Sequence, residues 1–346
     1  MFSINENPNK PIIIWLLTGC ALIFLMVVIG GITRLTNSGL SIVEWDLIMG
    51  TFPPLTENHW DELFLKYQQT PEYQLVNHHF ALDEFKEIFW WEYLHRLLGR
   101  VLGLVFIIPF IYFYVKKKLE ILLIKKLLII FLIGGFQGFL GWYMVKSGLN
   151  KNPDVSHYRL AAHLIAAFVS FGFTFWVALE LIYPPKKSAK KINHPGLRKW
   201  TYLLLILILL QVIYGAFVAG LNAGVTYNTF PMMGDEWISE SVGFSFQKYG
   251  WKSTVENGAS VQFIHRMLAY LLVILVSWMF YYSTHLSLTD RQKTIAKFLV
   301  YIVSFQFFVG VIALILVVPI SLGILHQAGA FVLFGAAVFL LQQLKR

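Results

Sequence analysis

Residues 12–33 read IIIWLLTGCALIFLMVVIGGIT, 22 positions without a charge. A helix needs about 20 such residues to cross roughly 30 Å of hydrocarbon. Seven more stretches qualify, at 94–115, 122–145, 158–182, 199–220, 262–284, 295–318 and 322–343. The last two are parted only by a turn at Val318-Pro319-Ile320-Ser321, followed by Gly323. No strand-length alternation of polar and apolar residues accompanies them, which argues against a β-barrel. The composition agrees: 57% hydrophobic, 14% charged and a mean hydropathy of +0.62 in 346 residues, where soluble chains are about a quarter charged. The chain reads as an all-α integral membrane protein with eight transmembrane helices.

The net charge of +9 would suggest nucleic acid if the basic residues were scattered, but they are sorted. With the N-terminus inside, the cytoplasmic segments hold 17 of the 28 Lys and Arg. They are Lys10, Lys116, Lys117, Lys118, Lys125, Lys126, Lys186, Lys187, Lys190, Lys191, Arg198, Lys199, Arg291, Lys293, Lys297, Lys345 and Arg346. That is a positive-inside pattern, so the surplus charge is a topology signal and no nucleic-acid partner is expected. Both termini are then cytoplasmic. Met1 to Pro11 is polar without being Arg-rich, and the first span lacks a small-residue cleavage site, which together favour a bacterial inner membrane. The two large outer loops, 34–93 and 221–261, are rich in aromatic and acidic residues and should lie along the interface. The single cysteine, Cys20, excludes disulfides and thiolate metal clusters.

The two halves repeat one pattern. Thr51-Phe52-Pro53 corresponds to Thr229-Phe230-Pro231, His95-Arg96 to His265-Arg266, Gln137 and Gly141 to Gln306 and Gly310, and His163 to His326. Four spans per half insert the same way round, so the repeat is parallel. The expected architecture is two tandem, pseudo-symmetric four-helix bundles, 1–183 and 184–346.

Four of the ten histidines fall in spans, and the repeat pairs them: His95 with His163, His265 with His326. Each follows shortly after its helix enters from the outside, so all four should lie at one depth. Two imidazoles facing across a bundle are a common way to hold a six-coordinate haem iron. Four residues on, on the same face, stand Gly99, Ala167, Ala269 and Ala330, small enough to admit a flat macrocycle. Arg96, Arg100, Arg159 and Arg266 lie where propionates would project. Zinc or copper would call for further carboxylate or thiol ligands, and only Glu92 is near. Small residues and lone histidines are ordinary at transmembrane interfaces; the paired recurrence is what points to haem. His59, His78, His79, His194 and His285 read as loop or span-end residues, while His157 is a candidate contact to substrate or propionate.

One position breaks the symmetry. Glu92, three residues before His95, corresponds to Gln262 before His265. A carboxylate one turn from a haem ligand can take a proton or stabilise positive charge at the porphyrin edge, so the first half reads as the reactive one. The competing reading is an i,i+4 ion pair between Glu92 and Arg96.

The chain resembles the haem A synthase family in its proteobacterial and mitochondrial branch over nearly its whole length. The resemblance rests on Gly30-Gly31-Ile32-Thr33-Arg34-Leu35-Thr36-Asn37-Ser38-Gly39-Leu40-Ser41, on Phe52-Pro53-Pro54 and Pro71-Glu72-Tyr73, and most specifically on Phe85-Lys86-Glu87-Ile88-Phe89-Trp90-Trp91-Glu92-Tyr93-Leu94-His95-Arg96. It implies an oxidoreductase that turns the C8 methyl group of haem O into a formyl group by successive hydroxylations. It also implies His95 and His163 as ligands of the substrate haem, Glu92 as the acid, and His265 and His326 as ligands of a resident haem B. Relatives with paired outer-loop cysteines differ from this chain, which has none. Haem O, membrane lipid, a haem O-making enzyme, an electron-transfer protein and a second copy of the chain are the candidate partners. The rival functions are a dihaem b-type electron-transfer protein without porphyrin chemistry and a transporter. A farnesyl-transferring enzyme would need two Asp-rich motifs, and Asn150-Lys151-Asn152-Pro153-Asp154 is a poor substitute.

Overall fold

The computed structural model describes residues 7–45, 49–150, 153–184 and 194–345. Among these it is built of helices alone apart from one isolated bridge, and eight helices are long and apolar enough to cross a membrane. They are α1 (Lys10–Leu35), α4 (Leu82–Val115), α5 (Ile121–Gly148), α6 (His157–Ile182), α7 (Pro195–Gly220), α10 (Gly258–Thr284), α11 (Asp290–Ile315) and α12 (Ile320–Leu344). Each contains one expected span or nearly all of it. Four shorter helices fill the two long connections: α2 (Glu57–Gln68), α3 (Pro71–Leu75), α8 (Glu240–Tyr249) and α9 (Ser253–Glu256). Both connections lie at one end of the molecule, the loop end. Lys186, Lys187, Lys190, Lys191 and Arg346 of the sorted charges, and Lys151 and Asn152 of the weak motif, lie outside the described residues.

The boundaries differ from the sequence reading in instructive places. α4 starts at Leu82, twelve residues before its apolar run, because Glu84 accepts the Ala81 N–H at 3.0 Å and caps the extension. α2 lies on that extension: Trp60 and Tyr67 pack against Phe85, Ile88, Phe89 and Tyr93 as a small aromatic core. The first long connection is therefore residues 36–81, and α2 and α3 hold 17 of them. The turn between α11 and α12 falls at Leu316–Pro319, slightly earlier than expected. There Val317 and Val318 adopt φ of 62° and 54°, and their N–H groups close on Leu314 and Ala313 carbonyls at 3.1 and 2.7 Å.

Contacts between helices run in two rings. α1 packs on α4, α4 on α5, α5 on α6 and α6 back on α1; α7, α10, α11 and α12 do the same. The rings meet where α1 touches α12, α6 touches α7, and α6 touches α12. That is a pattern consistent with two tandem bundles about a pseudo-twofold axis. The junction is aromatic: the Phe331 ring centre stands 4.3 Å from that of Phe171, 4.8 Å from Phe168 and 5.7 Å from Phe24. Burial is uneven. Of the apolar stretch of α12, 56% is inside the protein; of that of α4, 6%. Arg34 ties the halves at the loop end, donating to Asn37 Oδ1, Ala219 O and Asn222 Oδ1. Asn37 and Asn222 occupy corresponding left-handed positions, φ 50° and 51°, a conformation asparagine tolerates well.

Candidate functional site

Each of the four span histidines rests its ring against a glycine of the neighbouring helix. A Cβ added to Gly30 would stand 3.0 Å from His95 Cε1, at Gly141 3.2 Å from His163, at Gly215 3.3 Å from His265 and at Gly310 2.7 Å from His326. The pairs are α1 with α4, α5 with α6, α7 with α10 and α11 with α12, so one seating device occurs four times. Bare backbone lets the imidazole sit inside the bundle instead of being pushed off its rotamer. The His265 and His326 ring centres are 6.4 Å apart. Two metal–imidazole bonds of about 2 Å plus the half-width of each ring give about the same span. In the first half, His163 lies within electrostatic range of His95.

These residues fit a haem. Nδ1 of His95, His163 and His265 is buried with no hydrogen-bond partner in the protein, an arrangement that costs free energy unless a ligand or water answers it. Among the described residues, no three His, Cys, Asp or Glu side chains gather. The donor set is thus a pair of imidazoles in each half, which would hold a metal that brings its remaining ligands with it. Of the expected small residues at the fourth position, Gly99 faces only Met26 Cε, at 3.7 Å, whereas Ala167 and Ala330 pack into or against the central core.

A set of glutamines that the sequence reading gave no role completes the seats. Gln137, Gln211 and Gln306 each stand one turn before a glycine seat. Their amide nitrogens lie 3.5 Å from His163 Nε2, 3.3 Å from His265 Nε2 and 3.1 Å from His326 Nδ1. Gln137 and Gln306 also donate to the carbonyl of their own histidine, at 3.0 and 2.6 Å. Contacts of this kind hold each imidazole ring in its orientation. The fourth position of the set is Met26, so His95 lacks this partner. The signal was present as Gln or Met four residues before each seat, but it becomes readable only when the neighbouring helix is known.

Glu92 is buried and fully engaged. One oxygen accepts from Ser41 Oγ at 2.7 Å and Ile42 N at 2.9 Å; the other accepts from Arg96 Nη2 at 2.6 Å and Nε at 3.1 Å. Arg96 also donates to the Ile42 and Glu44 carbonyls. The i,i+4 pair is therefore formed, and it fastens the chain after α1 to α4. Arg266 makes the corresponding clamp, donating to Tyr227, Thr229 and Met232 carbonyls and to Gln262 Oε1. Gln262 in turn donates to Ala223 and Tyr227 carbonyls. The acid-to-amide change thus has a local cause: Glu92 meets only donors, whereas the Gln262 amide nitrogen meets carbonyl acceptors. Arg159 donates to the Tyr143 carbonyl at 2.6 Å and stacks on its ring at 3.7 Å. Arg100 sits on α4 one turn beyond Arg96.

The Nε2 of His157 is buried and unpartnered. The residue lies at the start of α6 against Gly220 and Phe217 of α7, at the junction of the rings. His59, His78, His79 and His285 are exposed and His194 half-buried, as expected of loop and span-end residues. Glu72 is the ionisable group the motif reading left without a role. It is buried beside α2, accepts from Tyr67 Oη at 3.3 Å, and lies within electrostatic range of Glu92. Burial pushes its carboxyl up to about 7.

Compared with known proteins, residues 13–338 match the COX15-CtaA family, described as cytochrome oxidase assembly protein. The chain belongs to this family. It is 49% identical to the haem A synthase of Flavobacterium johnsoniae over 344 residues, covering 99% of this chain and 100% of that protein. It is 48% identical to the haem A synthase of Nitrosospira multiformis, covering 98% and 94%, and 43% identical to that of Wolbachia pipientis wMel, covering 97% and 93%. Every histidine and glycine of the four seats lies inside the matched region.

Proposed function

We propose that this chain is a haem A synthase, oxidising the C8 methyl group of haem O to a formyl group. The observation that carries the reading is the fourfold histidine-on-glycine seat in a chain so similar to haem A synthases over its full length. In this reading residues 1–183 form the substrate half, with His95 and His163 on the iron of haem O. Residues 184–346 form the resident half, with His265 and His326 on haem B. Bound haem B supplies a one-electron relay. The methyl group passes through the alcohol to a geminal diol, which loses water to leave the aldehyde; in this reading each hydroxylation adds the oxygen of one water molecule and releases two protons and two electrons, the electrons going to an external acceptor.

The chain's own residues bind, orient and handle charge. Glu92, one turn from His95, is the acid nearest the substrate edge, and its contacts to Ser41 and Ile42 hold it there. Positive charge developing at the methyl carbon is stabilised by that carboxylate, and a proton can pass to it once Arg96 yields an oxygen. Arg96, Arg100, Arg159 and Arg266 are the candidate propionate partners in this reading. Each guanidinium nitrogen of Arg96 makes at least one hydrogen bond within the protein, as do both terminal nitrogens of Arg266. The sorted lysines favour an orientation with both termini on the cytoplasmic side, and the reading assigns the chain to a bacterial inner membrane. A haem O-making enzyme and an electron acceptor are the partners such chemistry requires. Extraction of pigments from the purified protein tests the reading: haems B and O, with haem A appearing on turnover, support it. Haem B alone, with no conversion of added haem O, would favour the dihaem electron-transfer protein instead.

A further inference from the structure

The two bundles differ along one seam. In the second half the seam between α10 and α11 is filled near the loop end by three rings: Phe230, Tyr270 and Phe307, with ring centres 5.5 to 6.2 Å apart. Deeper in, Val303 is buried and Val273 packs on the core. The repeat assigns a first-half counterpart to each. They are Phe52, which is 77% exposed, Arg100, Gly138, Gly134 and Gly103. A methyl group added at Gly103, Gly134, Gly135 or Gly138 would meet nothing within 4 Å. The seam between α4 and α5 is therefore unfilled where its twin is packed, and it closes again only at Phe106 and Phe131, whose rings stack at 6.0 Å.

The open stretch is continuous with the histidine seats. It begins beside His95 and at Gly141, and runs inward as far as Gly103 and Gly134. That is eight residues of α4 and seven of α5, or about 10–12 Å of helix. The unpartnered Nδ1 atoms of His95 and His163 mark its loop-end limit as a ligand position. We propose that the unfilled α4–α5 seam is a lateral groove that admits haem O from the bilayer and holds its isoprenoid tail. This rests on the reading of His95 and His163 as ligands of the substrate iron. Beyond Arg100 near its loop end the groove is lined by glycines, its open side faces lipid along the least buried of the eight spans, and its length is of the order of a farnesyl-type chain. Haem B has no such tail, and the bundle assigned to it has no such groove. The difference between the halves thus sorts the two porphyrins by their substituent, with no polar contact needed.

Two variants of the full-length protein test the groove. Gly103→Val/Gly138→Phe should lower the affinity for added haem O about tenfold, by the clash of ring and tail. It should leave the second-half haem B content unchanged, which serves as the control for folding, and binding of tail-less haem B at His95 and His163 within about twofold. In the second, Gly138→Cys should react with N-ethylmaleimide in detergent, with the parent chain and its buried Cys20 as background. Added haem O should protect it and added haem B should not. Unchanged haem O binding in the filled variant, or equal alkylation with and without haem O, would overturn the groove while leaving the enzyme reading intact. A wild-type protein that binds neither haem at His95 and His163 would overturn the reading beneath it as well.

Discussion

A glycine opposite a histidine is the smallest unit on which the site depends. Gly310 shows the tightest seat, so Gly310→Ala should displace the His326 ring and weaken second-half haem binding about tenfold, read as haem retained per protein after purification. Glu92→Ala should keep that haem but stall before the aldehyde, with haem O or its alcohol accumulating. Normal haem A yield from this variant would leave Glu92 as an anchor of the chain after α1 and nothing more. Glu72 gives a pH dependence. Its folded-state carboxyl titrates near 7, above the ordinary value of 4.5. Between these values the folded state therefore holds more protons than the unfolded, and stability falls as pH rises through the window. Melting followed by tryptophan fluorescence should show a lower Tm at pH 8 than at pH 5, and Glu72→Gln should flatten the difference. At this scale the sequence was half legible. The four histidines could be found because their pairing recurs in order. The glycine seats and glutamine partners could not, because glycine is common in membrane helices and the contacts join different helices.

Among the elements, helix interiors were readable from hydropathy and helix ends were not. α4 outruns its apolar stretch because its first three turns pack against α2 through aromatic residues, so charge along it marks an amphipathic extension and not an end. At the α11–α12 turn Pro319 gave the place, but nothing in a Val-Val pair announces two left-handed residues. A β-branched side chain there costs roughly 1–2 kcal/mol. Val317 is 54% exposed and contributes little packing. Val317→Gly should therefore stabilise the protein by about 0.5–1 kcal/mol after the added flexibility of the unfolded chain is counted. A rise in Tm of the detergent-solubilised protein, with haem content unchanged, checks it.

In the whole molecule the repeat does two things at once. It supplies two equivalent pairs of imidazoles, and its departures make the pairs unequal: Met26 against Gln211, Glu92 against Gln262, an open seam against a filled one. The duplication and the spans could be read from residues alone, because apolar runs of sufficient length and ordered pairs of motifs survive in one dimension. The closing of each ring of helices, the aromatic junction at Phe331 and the bridge of Arg34 depend on packing across the chain. The central claim is that two imidazole pairs each clasp an iron porphyrin. The most direct measurement is the visible spectrum and pigment content of the purified protein beside its His265→Ala/His326→Ala variant. The account expects a coloured protein with a low-spin haem spectrum, and in the variant loss of haem B with haem O still bound by the first half. A colourless wild-type protein, or a variant with an unaltered spectrum, would contradict it.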